Sequence, residues 1–167
     1  MQTSRFITTA ATVMFGLAIS TLCASAADFL QAFEGSWKGK GTIDYKGDNP
    51  GKDPIACRLT AKYSEPSKSL ELSGRCGSVS ATSSFKSTLT QASNGIISGY
   101  PILQRGEFAD IQISGRVNGK SLRLNGKKGT NALSTTFILT AENSFQTQGS
   151  RSMNGKEAEF LYINWTK

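Results

Sequence analysis

Residues 57–76, CRLTAKYSEPSKSLELSGRC, decide the fold. Ile55, Cys57, Leu59, Ala61 and Tyr63 alternate with Ala56, Arg58, Thr60 and Lys62, the period of a half-buried strand. Leu70, Leu72, Gly74 and Cys76 alternate with Glu71, Ser73 and Arg75 in the same way. Between the two runs, Ser64 to Ser69 is turn chemistry. A hairpin folded about the middle of that turn sets Tyr63 opposite Leu70, Ala61 opposite Leu72, Leu59 opposite Gly74 and Cys57 opposite Cys76. A single register thus gathers the apolar residues on one face and opposes the two thiols, and a one-residue slip destroys both. Directly opposed positions lie within disulfide reach, which predicts a Cys57–Cys76 bond.

The N-terminus reads differently. Arg5 is followed by a mostly apolar run, Phe6 to Leu22, and then by Ala24-Ser25-Ala26. That is the plan of a secretory signal peptide, residues 1–26, cleaved before Ala27. Cys23 lacks the small preceding residue of a lipidation site, since Leu22 precedes it. Removal of 26 of the 167 residues leaves 141, enough for one domain over residues 27–167. Two cysteines remain, an even count that suits an oxidising, periplasmic or extracellular compartment. No membrane span is expected after cleavage. The chain carries +7, or +6 without Arg5, with its basic residues spread along strands and turns.

Working outward from the hairpin, Ala27 to Glu34 suits one short helical turn with Phe29, Leu30 and Phe33 on its apolar side. Trp37, Gly39, Gly41, Ile43 and Tyr45 alternate as the first strand. Val79 to Leu89 makes a long, weakly apolar strand, and Ile96 to Leu103 another, interrupted at Pro101. Ala109 to Val117 alternates again. A two-residue turn at Asn118-Gly119 would set Gly115 opposite Leu122 and Ile113 opposite Leu124. Lys127 to Ala132 reads as a loop and Leu133 to Ala141 as a strand. A last hairpin turns at Asn154-Gly155, and its final strand offers two candidate inward faces, Ala158/Phe160/Tyr162 or Leu161/Ile163/Trp165. About eight to ten strands with short connections predict an all-β, antiparallel up-and-down barrel with a short N-terminal helical turn. The face opposite the apolar one carries Lys38, Lys40, Arg58, Lys62, Glu71, Arg75, Lys86, Arg116 and Arg123, which excludes a lipid-facing outer wall.

Phe33-Glu34-Gly35-Ser36-Trp37 resembles the Gly-x-Trp opening of the lipocalin or calycin superfamily. The resemblance implies that Trp37 closes one end of a barrel, where that group often packs a basic residue from a late strand over the indole. No residue of this sequence is assigned to that second part. The chain also resembles bacterial periplasmic metalloprotease inhibitors in size, signal peptide and cysteine count. That likeness implies an inhibitory role for Ala27 to Phe33.

Catalytic chemistry finds little support. With no His in the chain, Ser-His-Asp and Cys-His arrangements are excluded, as is a haem ligand of the nitrobindin kind. Two cysteines cannot fill a zinc site. No glycine cluster forms a phosphate loop ahead of a helix, and no basic strand face carries the aromatics that nucleic-acid binding requires. The expectation is a protein without catalytic residues, metal or cofactor. Its inward face would hold a small apolar or amphipathic ligand. Trp37, Tyr45, Leu59, Tyr63, Leu72, Phe85, Tyr100, Ile111 and Ile113 are the candidate contacts, and glycines and alanines between them either leave room or mark bends. A protein partner, as for an inhibitor, is the second expectation.

Overall fold

A computed structural model describes residues 26–44, 53–79, 81–102, 108 and 110–167. A short helix, α1 (Ala26–Gln31), precedes ten strands: β1 (Gly35–Ile43), β2 (Asp53–Ser64), β3 (Ser69–Gly77), β4 (Thr82–Gln91), β5 (Ile97–Gly99), β6 (Ile113–Asn118), β7 (Ser121–Lys128), β8 (Asn131–Ala141), β9 (Ser144–Met153) and β10 (Lys156–Thr166). Each strand pairs antiparallel with its sequence neighbours, and β10 closes on β1, so the sheet is a closed up-and-down barrel. Closure removes the free edges at which an open sheet would recruit another chain.

The β2–β3 hairpin has the register read from its alternation. Cys57 opposes Cys76, Leu59 Gly74, Ala61 Leu72, and Tyr63 Leu70. The disulfide is formed, with an S–S distance of 2.04 Å. Both cysteines are buried and face inward with Leu59, Ala61, Leu70 and Leu72.

Two turns differ from expectation, each for a reason of glycine chemistry. The β6–β7 turn is centred on Gly119-Lys120, so Gly115 faces Leu124 and Val117 faces Leu122. Gly119 takes φ +58° at the first central position, the demand of a type II′ turn. The shift moves the partners by two residues, keeps the parity and leaves the apolar faces matched. Residues 127–132 form a tight hairpin instead of a loop, with Gly129 at φ +62° in the same role. By contrast Asn154 and Gly155 both have positive φ, the type I′ pattern, as their dipeptide suggests.

β5 is shorter than its apolar run because Pro101 cannot donate to a ladder. The Ser87 hydroxyl donates to the Tyr100 carbonyl where the strand would have continued. Beyond it, Pro101, Ile102, Phe108 and Ile111 are buried, so the β5–β6 connection folds apolar side chains onto the core. In β10 the choice between two faces is resolved by a bulge between Glu159 and Leu161. Leu161, Ile163 and Trp165 are the buried set, and the extra residue Phe160 packs against the core as well. The cations Lys38, Lys40, Arg58, Lys62, Arg75, Lys86, Arg116 and Arg123 are all exposed on the outer wall.

Candidate functional site

The two ends of the barrel differ. At the end reached by the β2–β3, β6–β7 and β8–β9 turns, α1 folds across the opening. Phe29, Leu30 and Phe33 are buried there. Phe33 makes edge contacts with Phe29, Phe137 and Phe145 at centroid distances of 5.1, 5.8 and 4.8 Å. Trp37 meets Phe145 edge-on at 4.8 Å, and Trp165 stacks on Phe145 at 5.5 Å. Both buried indoles are satisfied. Trp37 Nε1 donates to the Phe33 carbonyl (2.7 Å) and Trp165 Nε1 to Thr147 Oγ1 (3.0 Å). Lys167 Nζ lies 4.7 Å from the Trp37 ring centroid, a cation–π contact that fills the place of the basic residue over the tryptophan. Ala27 to Phe33, the stretch with an expected inhibitory role, thus packs its aromatics into this seal.

At the other end the inward positions become less buried and more polar. Ser83 and Phe85 on β4 are half-buried. On β9 the buried alternation Phe145, Thr147, Gly149 continues to Arg151, which by parity faces the interior opposite the buried Leu133. Arg151 Nη2 donates to the Asp44 carbonyl at 3.2 Å, and its guanidinium carbon lies 5.4 Å from the Phe160 ring centroid. The Asp44 amide in turn donates to the Phe160 carbonyl at 2.8 Å. A half-buried arginine, an aromatic ring and a buried aspartate therefore meet where β1, β9 and the β10 bulge reach the mouth.

The sequence-derived interior set divides between these regions. Trp37, Leu59, Leu72, Ile111 and Ile113 are buried core, and Tyr63 and Phe85 are partly buried against it. Tyr100 is 46% exposed. Its expected inward position fails by parity: Ile97 and Gly99 are the inward residues of β5, opposite Gly115 and opposite Leu89 and Ile113, so Tyr100 falls on the outer side. Tyr63 lies one residue from the closed end of β2 and, like Phe85, packs against the core. Tyr45 lies outside the described residues. Val79 is 92% exposed in the β3–β4 connection, ahead of the strand it was expected to begin.

The inward glycines mark close approach more than open space. A Cβ on Gly39 would sit 2.7 Å from the Trp165 ring, one on Gly74 2.5 Å from Phe85, and one on Gly149 2.9 Å from Phe160. Large neighbours lie over these glycines and take the volume a side chain would have used. Among the described residues, two clefts open outside the barrel wall. One, of about 530 Å³, lies beside α1 among Glu34, Lys120, Glu142 and Lys167; the other, of about 420 Å³, lies over Arg123, Ser134, Ser150 and Glu157. Neither has an apolar lining with a single polar anchor, the character of a small-ligand pocket. Arg151 was not singled out in the sequence, and Phe160 entered only as part of one candidate face of the last strand. The signal was present in β9, where a lone arginine continues an inward parity of buried residues.

No protein-family model matches the chain, and no curated protein matches it in sequence. Among solved structures it is similar to the S-type phycobiliprotein lyase of Guillardia theta, with a TM-score of 0.59, 10% identity, and coverage of 85% of this chain and 90% of that one. The two share a fold. The likeness supports the calycin-like reading of the barrel, and at this identity it extends to architecture alone.

Proposed function

We propose that this protein is an exported, non-enzymatic carrier that holds one small amphipathic ligand at the open end of its barrel. The observation that carries the reading is Arg151, a permanently charged, half-buried group facing inward at the mouth, beside Asp44 and Phe160. An apolar ligand body would lie along Phe85, Phe160 and Leu161, and an anionic head would take the bidentate face of the guanidinium. The Cys57–Cys76 bond and the apolar N-terminal run support an oxidising compartment outside the cytoplasm. The phycobiliprotein lyase adds only that a barrel of this fold serves in a lyase elsewhere.

The test is native mass spectrometry of protein purified from its own host, followed by titration with a fluorescent fatty acid. A single small-molecule adduct, displaced by the probe at one-to-one stoichiometry, is the expected result. A bare mass together with no saturable probe binding would sink the carrier reading.

A further inference from the structure

The barrel gathers cations that are scattered in the sequence. Lys38 stands directly opposite Arg58, and Arg58 directly opposite Arg75, so three positive side chains form one row across β1, β2 and β3. Neighbouring strands lie about 4.8 Å apart, and like charges directly opposed at that spacing destabilise a sheet. Lys40, Lys62 and Lys86 flank the row on the same outer wall. Glu71, opposite Lys62, is the acidic residue among the outward positions of these four strands. The outward positions of β8 to β10 carry no Lys or Arg and include Glu157 and Glu159. Arg116 and Arg123 form a second opposed pair on β6 and β7, so the row of three on β1–β3 is the largest such array and the neutral to acidic side is β8 to β10.

A second feature lies beside the end of this wall. The exposed large apolar side chains among the described residues are Val79 (92%), Tyr100 (46%) and Met153 (40%). Val79 sits at the open end on the β3–β4 connection, Met153 at the open end on the β9–β10 turn, and Tyr100 just after β5. Val79 stands at the end of the two strands that carry Arg75 and Lys86.

We infer that the outer wall of β1–β4, with the mouth beside it, docks on an anionic lipid membrane. A row of exposed, mutually repelling cations is relieved by an extended array of negative charge, and apolar tips next to it suit the boundary between head groups and acyl chains. A nucleic acid fits less well. The outward positions of β1–β4 contain no aromatic residue on which a base could stack. This inference stands apart from the carrier reading, and its test uses no ligand.

The experiment is co-sedimentation with vesicles of phosphatidylcholine alone or with phosphatidylglycerol. The parent is compared with the triple variant Lys38→Gln, Arg58→Gln, Arg75→Gln and with Val79→Ser. All carry the same N-terminus, so the apolar run Phe6 to Leu22 contributes equally to each. The parent should partition onto the phosphatidylglycerol vesicles and be released by salt. Each cation removed should weaken partitioning about fivefold, so the triple variant should lose about a hundredfold. Val79→Ser should lose a smaller factor. The triple variant should melt no lower than the parent, because it relieves the opposed charges, and this separates lost docking from lost folding. Equal partitioning of parent and triple variant would overturn the inference. So would patch-dependent binding to heparin or duplex DNA with none to the vesicles.

Discussion

At the α1 end of the barrel, Phe33, Trp37, Phe145 and Trp165 form one aromatic cluster, every indole N–H is bonded, and Lys167 covers the outermost ring. At the mouth, the inward positions include Ser83, Phe85, Phe160 and Arg151, all half-buried. The same period-two alternation builds both ends, so the difference comes from residue size and from how each strand stops. Large aromatics and a helical plug complete the packing below. Above, a bulge, a proline and a charged inward residue interrupt it. The contrast puts the tighter packing at one end, and the proposed binding falls at the other.

The most severe test of the contrast is truncation of the seal. Trp37→Ala should cost about 3–5 kcal/mol, the range for a large aromatic in a core, read as a lowered urea midpoint. Phe85→Ala at the mouth should cost clearly less, because its side chain is only half-buried. If the two losses are equal, the ends are not energetically distinct.

Next in size is the disulfide. It spans 19 residues, and a closed loop of that length is worth about 3 kcal/mol in the chain-entropy model. Cys57→Ser with Cys76→Ser should lower the melting temperature and leave the far-ultraviolet spectrum unchanged. Non-reducing peptide maps of protein from its own host should recover the cross-linked pair, and two free thiols there would remove both the bond and the argument for export.

Packing between the ends is probed by Gly39→Ala. The added Cβ would meet the Trp165 ring at 2.7 Å and Ile163 Cγ2 at 2.8 Å, so it should cost about 1–3 kcal/mol by overpacking. A neutral result would mean that room remains beneath the mouth, which would extend the binding region downward.

How much of this contrast was legible in the sequence depends on which feature breaks the alternation. The β2–β3 hairpin was readable down to its residue pairs, because unbroken alternation and a turn of fixed length leave one register. The inward face of β10 was not, because the bulge at Phe160 changes parity at a place no local signal marks. Tyr100 was misplaced because β5 is read equally well in either parity, and its pairing puts Ile97 and Gly99 inward instead of their neighbours. The triplet Lys38, Arg58, Arg75 was scattered in the chain and becomes a row only through two hairpin registers acting together. Lys167 could not be matched to Trp37 without knowing that β10 closes on β1.

The smallest expected effect on stability is also the one that bears most directly on the mouth. Among the described residues, Arg151 hydrogen-bonds a backbone carbonyl and makes a cation–π contact, and it is only half-buried. Arg151→Gln should therefore cost no more than about 1 kcal/mol of folding stability. Its charge is a different matter. A hydrogen-bonded pair with a carboxylate head group contributes about 1.5–3 kcal/mol, so the variant should bind a fluorescent fatty acid about ten- to a hundredfold more weakly. The corresponding fatty alcohol, which has no charge to lose, should be affected much less. That difference between two ligands of the same length separates an electrostatic anchor from a general loosening of the mouth, which would weaken both alike. Equal losses for acid and alcohol would make Arg151 a structural residue and move the anchor elsewhere. An acid-specific loss with an unchanged melting point would place binding at the open end and stability at the closed one.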